Sequence, residues 1–238
     1  RSRRRGGGVT PIPPATPPEH YRPTPYLYTL PAGSRLWRVH KKTWGPTDFS
    51  DPEPVRGKKG GGRFDSTPDD RYPYYYAALE ADVALLETFL RDRPFTHEGT
   101  RPVMRQSVRG RRISAVETTV DLTLVDLLSG EALAAVAQDT WLIHALPREY
   151  HLTRAWASWI RKHTPQAQGL IWPSKREGTQ PALVLFGDEG RCPPGALRVV
   201  PDAGADFDDP AGLAWLNERL APYRAHVMPA ASDLPGAS

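Results

Sequence analysis

Residues 36–40 alternate in type, with Leu36, Arg38 and His40 at one parity and Trp37 and Val39 at the other. That two-residue period predicts a strand with unlike faces and sets Arg38 on the side away from Trp37. Farther on the period lengthens. Leu79, Val83, Leu86 and Leu90 recur at helical spacing, which predicts a helix over residues 79–90 with one buried stripe. At about 100° per residue, Glu87 falls on the margin of that stripe, with Glu80 one heptad earlier on the same flank. Val116, Val120, Leu122 and Leu124 alternate with Glu117, Thr119, Asp121 and Thr123 as one amphipathic strand. Ser129 is placed to cap a short Ala-rich helix over 130–137. Leu152, Trp156, Trp159, Ile160 and His163 then share a helical face, as core and rim rather than cofactor contacts. Strands follow over 169–172, 182–186 and 197–200, the first ended by Pro173 with Ser174 in the turn beyond it. Asp209 and Pro210 have the signature of an N-cap and first helical position, opening a helix to about Tyr223. With no regular βαβ repeat, the pattern predicts an α+β fold of mixed, mostly antiparallel sheets with surrounding helices.

Composition sets the outer limits. Of 238 residues 39% are hydrophobic, enough to bury a sizeable core. Residues 1–32 begin RSRRRGGG and place seven prolines before Pro31, which predicts a disordered Pro/Arg-rich lead-in. The folded domain is expected over 33–227 and a flexible tail over 228–238. A Pro/Gly-rich loop over 45–62 contains GKKGGG, a stretch suited to close backbone approach or to simple mobility. The formal charge is +4, but four of the 31 Lys and Arg residues lie in residues 1–5, and the remainder balance the acidic residues at 27 each. A neutral folded part speaks against a nucleic-acid-binding face. Cys192 stands alone, which excludes an internal disulfide, and no CxxC or His/Cys cluster offers a metal site. No apolar run approaches the roughly 20 residues a membrane helix needs, and the N-terminus lacks a signal-peptide core. The chain therefore reads as soluble and cytoplasmic, with no membrane partner.

Taken singly, an arginine on a strand is a surface ion-pairing group and a helix glutamate faces water. Together, Arg38, Arg63, Tyr76, Glu87 and Ser174 have another use. Two guanidinium forks match the paired oxygens of a diphosphate, and Ser174 with the N–H groups of its turn adds donors. A tyrosine face suits a flat, cationic nicotinamide ring. Nicotinamide leaves as a neutral amide, so no general acid is needed, and a carboxylate such as Glu87 can offset the positive charge growing on the ribose. These residues suit NAD as a substrate, with no metal. Ser174 as an acyl-transfer nucleophile is weaker, because no GxSxG elbow surrounds it. A non-enzymatic nucleic-acid or protein-binding module, using the basic N-terminal end, is the reading from another class.

Five segments carry a family resemblance: LWRVH at 36–40, GGRFD at 61–65, YAALEADVALLE at 76–87, LTLVDL at 122–127 and IWPSKREG at 171–178. With the run Thr153-Arg154-Ala155-Trp156-Ala157 in support, their order and spacing resemble the RES-domain toxins over about residues 36–186. The resemblance implies an ADP-ribosyltransferase-like core and a toxin of a bacterial toxin–antitoxin pair that depletes NAD by hydrolysis or phosphorolysis. A mono-ADP-ribosyltransferase modifying a protein is the implied alternative. By motif position, Arg38, Tyr76 and Glu87 take the catalytic places, and Arg38, Arg63, Tyr76 and Ser174 the NAD-binding ones. Tyr76 is preferred to Tyr72, Tyr74 and Tyr75 because it stands eleven residues before Glu87. The implied partner is a protein antitoxin that blocks the active site; the toxic tip of a larger delivered protein is the other implied setting. Four features depart from the family pattern: Phe64-Asp65 where many members have Trp-Asn, a longer and more basic loop before Arg63, the Pro-rich lead-in, and an extension past about Val200.

Overall fold

The computed structural model describes residues 16–51 and 61–229. Among them are ten strands: β1 (Leu27–Leu30), β2 (Arg35–Lys41), β3 (Tyr74–Ala78), β4 (Arg101–Val103), β5 (Arg111–Thr118), β6 (Leu122–Asp126), β7 (Gly169–Pro173), β8 (Pro181–Phe186), β9 (Leu197–Asp206) and β10 (Ala225–Val227). Eight form one curled sheet in the order β1–β6–β7–β8–β3–β2–β5–β9, antiparallel except between β6 and β7. A separate parallel pair joins β10 to β4. This is the mostly antiparallel α+β arrangement expected from the sequence.

The sheet is covered on both faces, so its strands carry two different cores. On one face lie helices α1 (Ala81–Leu85), α2 (Tyr150–His163) and α3 (Pro210–Leu220), whose Val83, Trp156, Ile160, Leu216 and Leu220 pack on Ile113, Val125, Leu170, Val184 and Phe186. On the other face Leu36, Tyr75, Val116, Leu122, Leu183 and Leu185 form a second cluster, with Phe49 and Leu197 against it. The alternation in β2 is real, but both parities are covered: Leu36, Arg38 and His40 are buried, while Trp37 and Val39 are half-buried against the helical face.

Two expected elements break where tertiary contacts compete. Residues 116–124 do not form one strand, because β5 ends at Thr118 and β6 starts at Leu122. Between them the backbone is taken by other segments: Thr118 N–H donates to Ser34 O at 3.0 Å and Thr119 N–H to Ala196 O at 2.9 Å. Val120 is left 40% exposed, although Val116, Leu122 and Leu124 do face one layer. Likewise the helix predicted over 79–90 is α-helical only over Ala81–Leu85 and continues as one wide π turn over Leu86–Leu90. Leu79 joins the opposite cluster, and Glu80 is an exposed N-cap outside the helix.

Other signals hold. Ser129 Oγ accepts from Ala132 N–H at 3.1 Å and opens a helix over Gly130–Ala134, shorter than the expected 130–137 because Ala137 adopts φ 56°. Helix α3 begins at Pro210, with Asp209 extended before it, and a 3-10 turn continues to Tyr223.

The folded part begins earlier than residue 33. Leu27–Leu30 pair with β6 as an edge strand, Leu30 is buried, and the Tyr21 ring stacks on Trp159 at 6.2 Å. Leu30 gives this stretch an apolar residue to bury despite its prolines. Residues 1–15, the 52–60 part of the expected Pro/Gly loop, and the tail from 230 lie outside the described residues.

Helix α3 belongs to the core, since Leu216 is fully buried within it. Leu216→Ala should therefore lower the unfolding free energy by about 2–5 kcal/mol, read from urea denaturation. An unchanged midpoint would mean that the extension folds independently of the sheet.

Candidate active site

The candidate site starts where two strands of the sheet part. Strands β2 and β3 pair only at Trp37 and Ala78, after which they part. Arg38 is the first residue beyond that pairing. It points to the face opposite Trp37, where its guanidinium lies 4.4 Å from the centroid of the Tyr75 ring and its Nη1 donates to Asp48 O. Burial lowers its pKa, opposed by Tyr75 and Asp48.

The segment 61–65 folds into a clasp in which side chains satisfy the backbone. Asp65 accepts from Gly62 N–H at 2.7 Å and from the Tyr76 hydroxyl at 2.9 Å, and that hydroxyl in turn accepts from Phe64 N–H at 2.9 Å. The carbonyls are held as well. Arg154 Nε donates to Gly62 O at 3.0 Å, Thr153 Oγ1 to Arg63 O at 2.7 Å, and the Tyr72 hydroxyl to Phe64 O at 2.8 Å. Only glycine fits at 62: a Cβ there would stand 2.5 Å from the Tyr76 hydroxyl oxygen and 2.7 Å from Asp65 Oδ1.

This clasp drives the Arg63 side chain inward, leaving it 1% exposed. Its Nη2 pairs with Glu87 Oε2 at 3.2 Å. The other oxygen, Oε1, accepts from Ser174 Oγ at 2.9 Å and Lys175 N–H at 3.1 Å. Glu87 sits in the π turn, 13% exposed, with both carboxylate oxygens held by donors. Arg63 Nε and Nη1 have no hydrogen-bond partner among the described residues. Burial lowers the pKa of Arg63, and the Glu87 charge opposes that most strongly.

Arg38, Tyr76 and Glu87 line one cleft of about 350 Å³, together with Trp37, Trp172, Arg91 and Arg111. Arg63 and Ser174, each 1% exposed, do not line it but touch Glu87 from behind. Tyr76 stands edge-on to Trp172 at 6.3 Å, its hydroxyl kept neutral by burial and by Asp65. Of the other tyrosines, Tyr74 also lines the cleft, while Tyr72 and Tyr75 are fully buried under Arg161 and Arg38. Glu80 is not among the lining residues.

Asp65, Thr153 and Arg154 were not singled out as site residues by the sequence, although they lie inside the GGRFD and TRAWA runs. No local pattern marks Arg91 or Arg111. A larger groove of about 720 Å³, bordered by Trp44, Phe49, Pro193 and Pro194, holds none of the five residues expected at the site. Among the described residues no group of three or more His, Cys, Asp and Glu side chains is placed to hold a metal ion, and no helix is long and apolar enough to cross a membrane.

A mostly antiparallel sheet with a buried Arg–Glu pair beside an aromatic cleft defines an α+β domain. The model of the RES domain family matches residues 35–208, and the chain belongs to that family. Among solved structures, it is similar to a chain of the M. tuberculosis MbcT–MbcA toxin–antitoxin complex, with 20% identity and a TM-score of 0.54 over 81% of this chain and 92% of that one. At that identity the likeness is one of fold. No curated protein matches the chain.

The position of Glu87 at a stripe margin suggests a residue that can be replaced at no cost to the fold. The Arg63 pair argues the opposite, because its loss strands a buried cation. Glu87→Ala should cost about 3–5 kcal/mol of unfolding free energy, with a smaller loss for Glu87→Gln, measured by urea denaturation. Equal stability of Glu87→Ala and the unsubstituted protein would show that the pair carries no weight.

Proposed function

We propose that this protein cleaves the nicotinamide–ribose bond of NAD, with water or phosphate attacking the ribose. The observation that supports this most is the presentation of the Glu87 carboxylate, fixed from behind by Arg63, Ser174 and Lys175 N–H, to a cleft it shares with Tyr76 and Arg38. Heterolysis of the C1′–N bond leaves the electron pair on nicotinamide, which departs neutral, and an oxocarbenium-like ribose. Glu87 stabilises that charge, and a carboxylate whose donors are already placed needs no reorganisation to do so. An oxygen of water or phosphate then bonds to C1′, giving ADP-ribose with a proton released to solvent, or the sugar phosphate.

Roles differ within the group. Arg38 binds the diphosphate at the parting of β2 and β3, and Tyr76 supplies an aromatic wall for the nicotinamide. Arg63 and Ser174 act through Glu87, holding its carboxylate in one orientation instead of reaching the phosphates. We assign the protein as a toxin of a bacterial toxin–antitoxin pair acting in the cytoplasm, neutralised by a protein antitoxin that covers the cleft. Membership of the RES domain family and the fold shared with a toxin–antitoxin complex support this assignment. ADP-ribosylation of a protein is the alternative outcome, since it uses the same donor site and differs only in the acceptor.

Incubation with NAD should release nicotinamide, with ADP-ribose formed in water, its phosphorylated form in phosphate buffer, or labelled protein in cell lysate deciding the acceptor. Glu87→Gln should lower kcat by about a hundredfold or more with little change in KM, whereas Arg38→Ala should act mainly by raising KM for NAD. Nicotinamide release by Glu87→Gln at the unsubstituted rate would remove the basis of this reading.

A further inference from the structure

We infer that Arg111 is an anion-binding residue of this cleft, taking a phosphate oxygen of the substrate and making the site select a dinucleotide over a nucleoside. The inference rests on the NAD reading above and extends it to a residue that neither the family pattern nor the local sequence marks.

Three arginines besides Arg63 approach the cleft, and two are engaged. Arg38 stacks on Tyr75 and donates to Asp48 O. Arg91 pairs through Nε with Asp92 Oδ2 at 3.1 Å and lies 5.1 Å from the Tyr150 ring centroid. Arg111 lines the same cleft, and its guanidinium has no hydrogen bond, ion pair or ring contact among the described residues. A half-buried cation that faces a cleft and is paired with no carboxylate among the described residues is suited to a ligand anion.

Its position follows from the strand register. Trp37 pairs with Ala115, Val39 with Ile113 and Lys41 with Arg111, so Arg111 shares the face of Trp37 and Val39. Glu87 and Tyr76 enter from that face, whereas Arg38 lies on the other side of β2 and reaches the cleft where β2 and β3 part. Cations thus flank the opening from both faces. Along the strands, Trp37, Ala78, Ala182 and Trp172 are paired in one row, and Ser174, two residues past Trp172, bonds Glu87. Arg111 is four residues along the β2 register from that row, about 13 Å at strand spacing. Tyr76 stands two residues from the row on the same side, so Arg111 lies beyond the Tyr76 ring at the end of the cleft away from Ser174, where an extended arginine can meet a substrate phosphate.

The test compares NAD, nicotinamide mononucleotide and nicotinamide riboside in the unsubstituted protein, Arg111→Ala and Arg111→Lys. The expected result is a rise in KM for NAD of about tenfold or more in Arg111→Ala with kcat little altered, as loss of a charge-assisted contact implies, and partial rescue by lysine. The loss should shrink as phosphates are removed from the substrate. Titration of ADP-ribose into Glu87→Gln with and without Arg111→Ala gives the same comparison without turnover, and affinity should fall about tenfold. An equal loss on all three substrates, or undiminished ADP-ribose affinity, would overturn the assignment. Absence of nicotinamide release from NAD by the unsubstituted protein would instead refute the proposed function, and the ADP-ribose titration would still decide for or against Arg111 as an anion contact.

Discussion

The buried pair between Arg63 and Glu87 is the constraint around which the rest of the site is arranged. A guanidinium at 1% exposure carries a desolvation cost that one good carboxylate contact only partly offsets, so the surrounding chain has to hold both partners in register. It does so from three directions. The clasp of residues 61–65, tied by Asp65, Tyr76, Thr153 and Arg154, aims Arg63; the π turn of residues 86–90 aims Glu87; and the turn after β7 places Ser174 and Lys175 N–H on the remaining oxygen. Removing any one of these leaves a buried charge or donor unanswered, which ties the stability of the domain to the geometry of its candidate site.

A second constraint is the parting of β2 from β3. A sheet that paired fully there would leave no room between Arg38 and Ala77, and both faces are otherwise covered by side chains. Opening at this point lets a residue from one face and residues from the other meet in a single cleft. Arg38 and Glu87 are drawn from opposite layers, an arrangement that no helix-only or strand-only pattern could produce.

Much of this was legible in order but not in depth. The alternation of residues 36–40, the cap at Ser129, the Asp209-Pro210 helix start and the turn position of Ser174 are local matters, settled by a few neighbouring residues, and they stand as expected. Residues 79–90 and 116–124 looked equally regular and yet were interrupted. There the deciding partners lie far away in sequence: Ala196 and Ser34 take the backbone N–H groups of Thr119 and Thr118, and the helix widens into a π turn where Glu87 meets Arg63.

The amino-acid sequence by itself determined the residue types of the site, the order of the segments bearing them, and the α+β class, because those follow from periodicity, capping and motif spacing. Only the tertiary structure decided which of the five residues face the cleft and which stand behind it. Arg63 and Ser174 carry the same donor chemistry whether buried or exposed, so their sequence positions cannot distinguish contact with a phosphate from contact with Glu87. That distinction depends on the distant residues that surround each side chain, and those are set by packing.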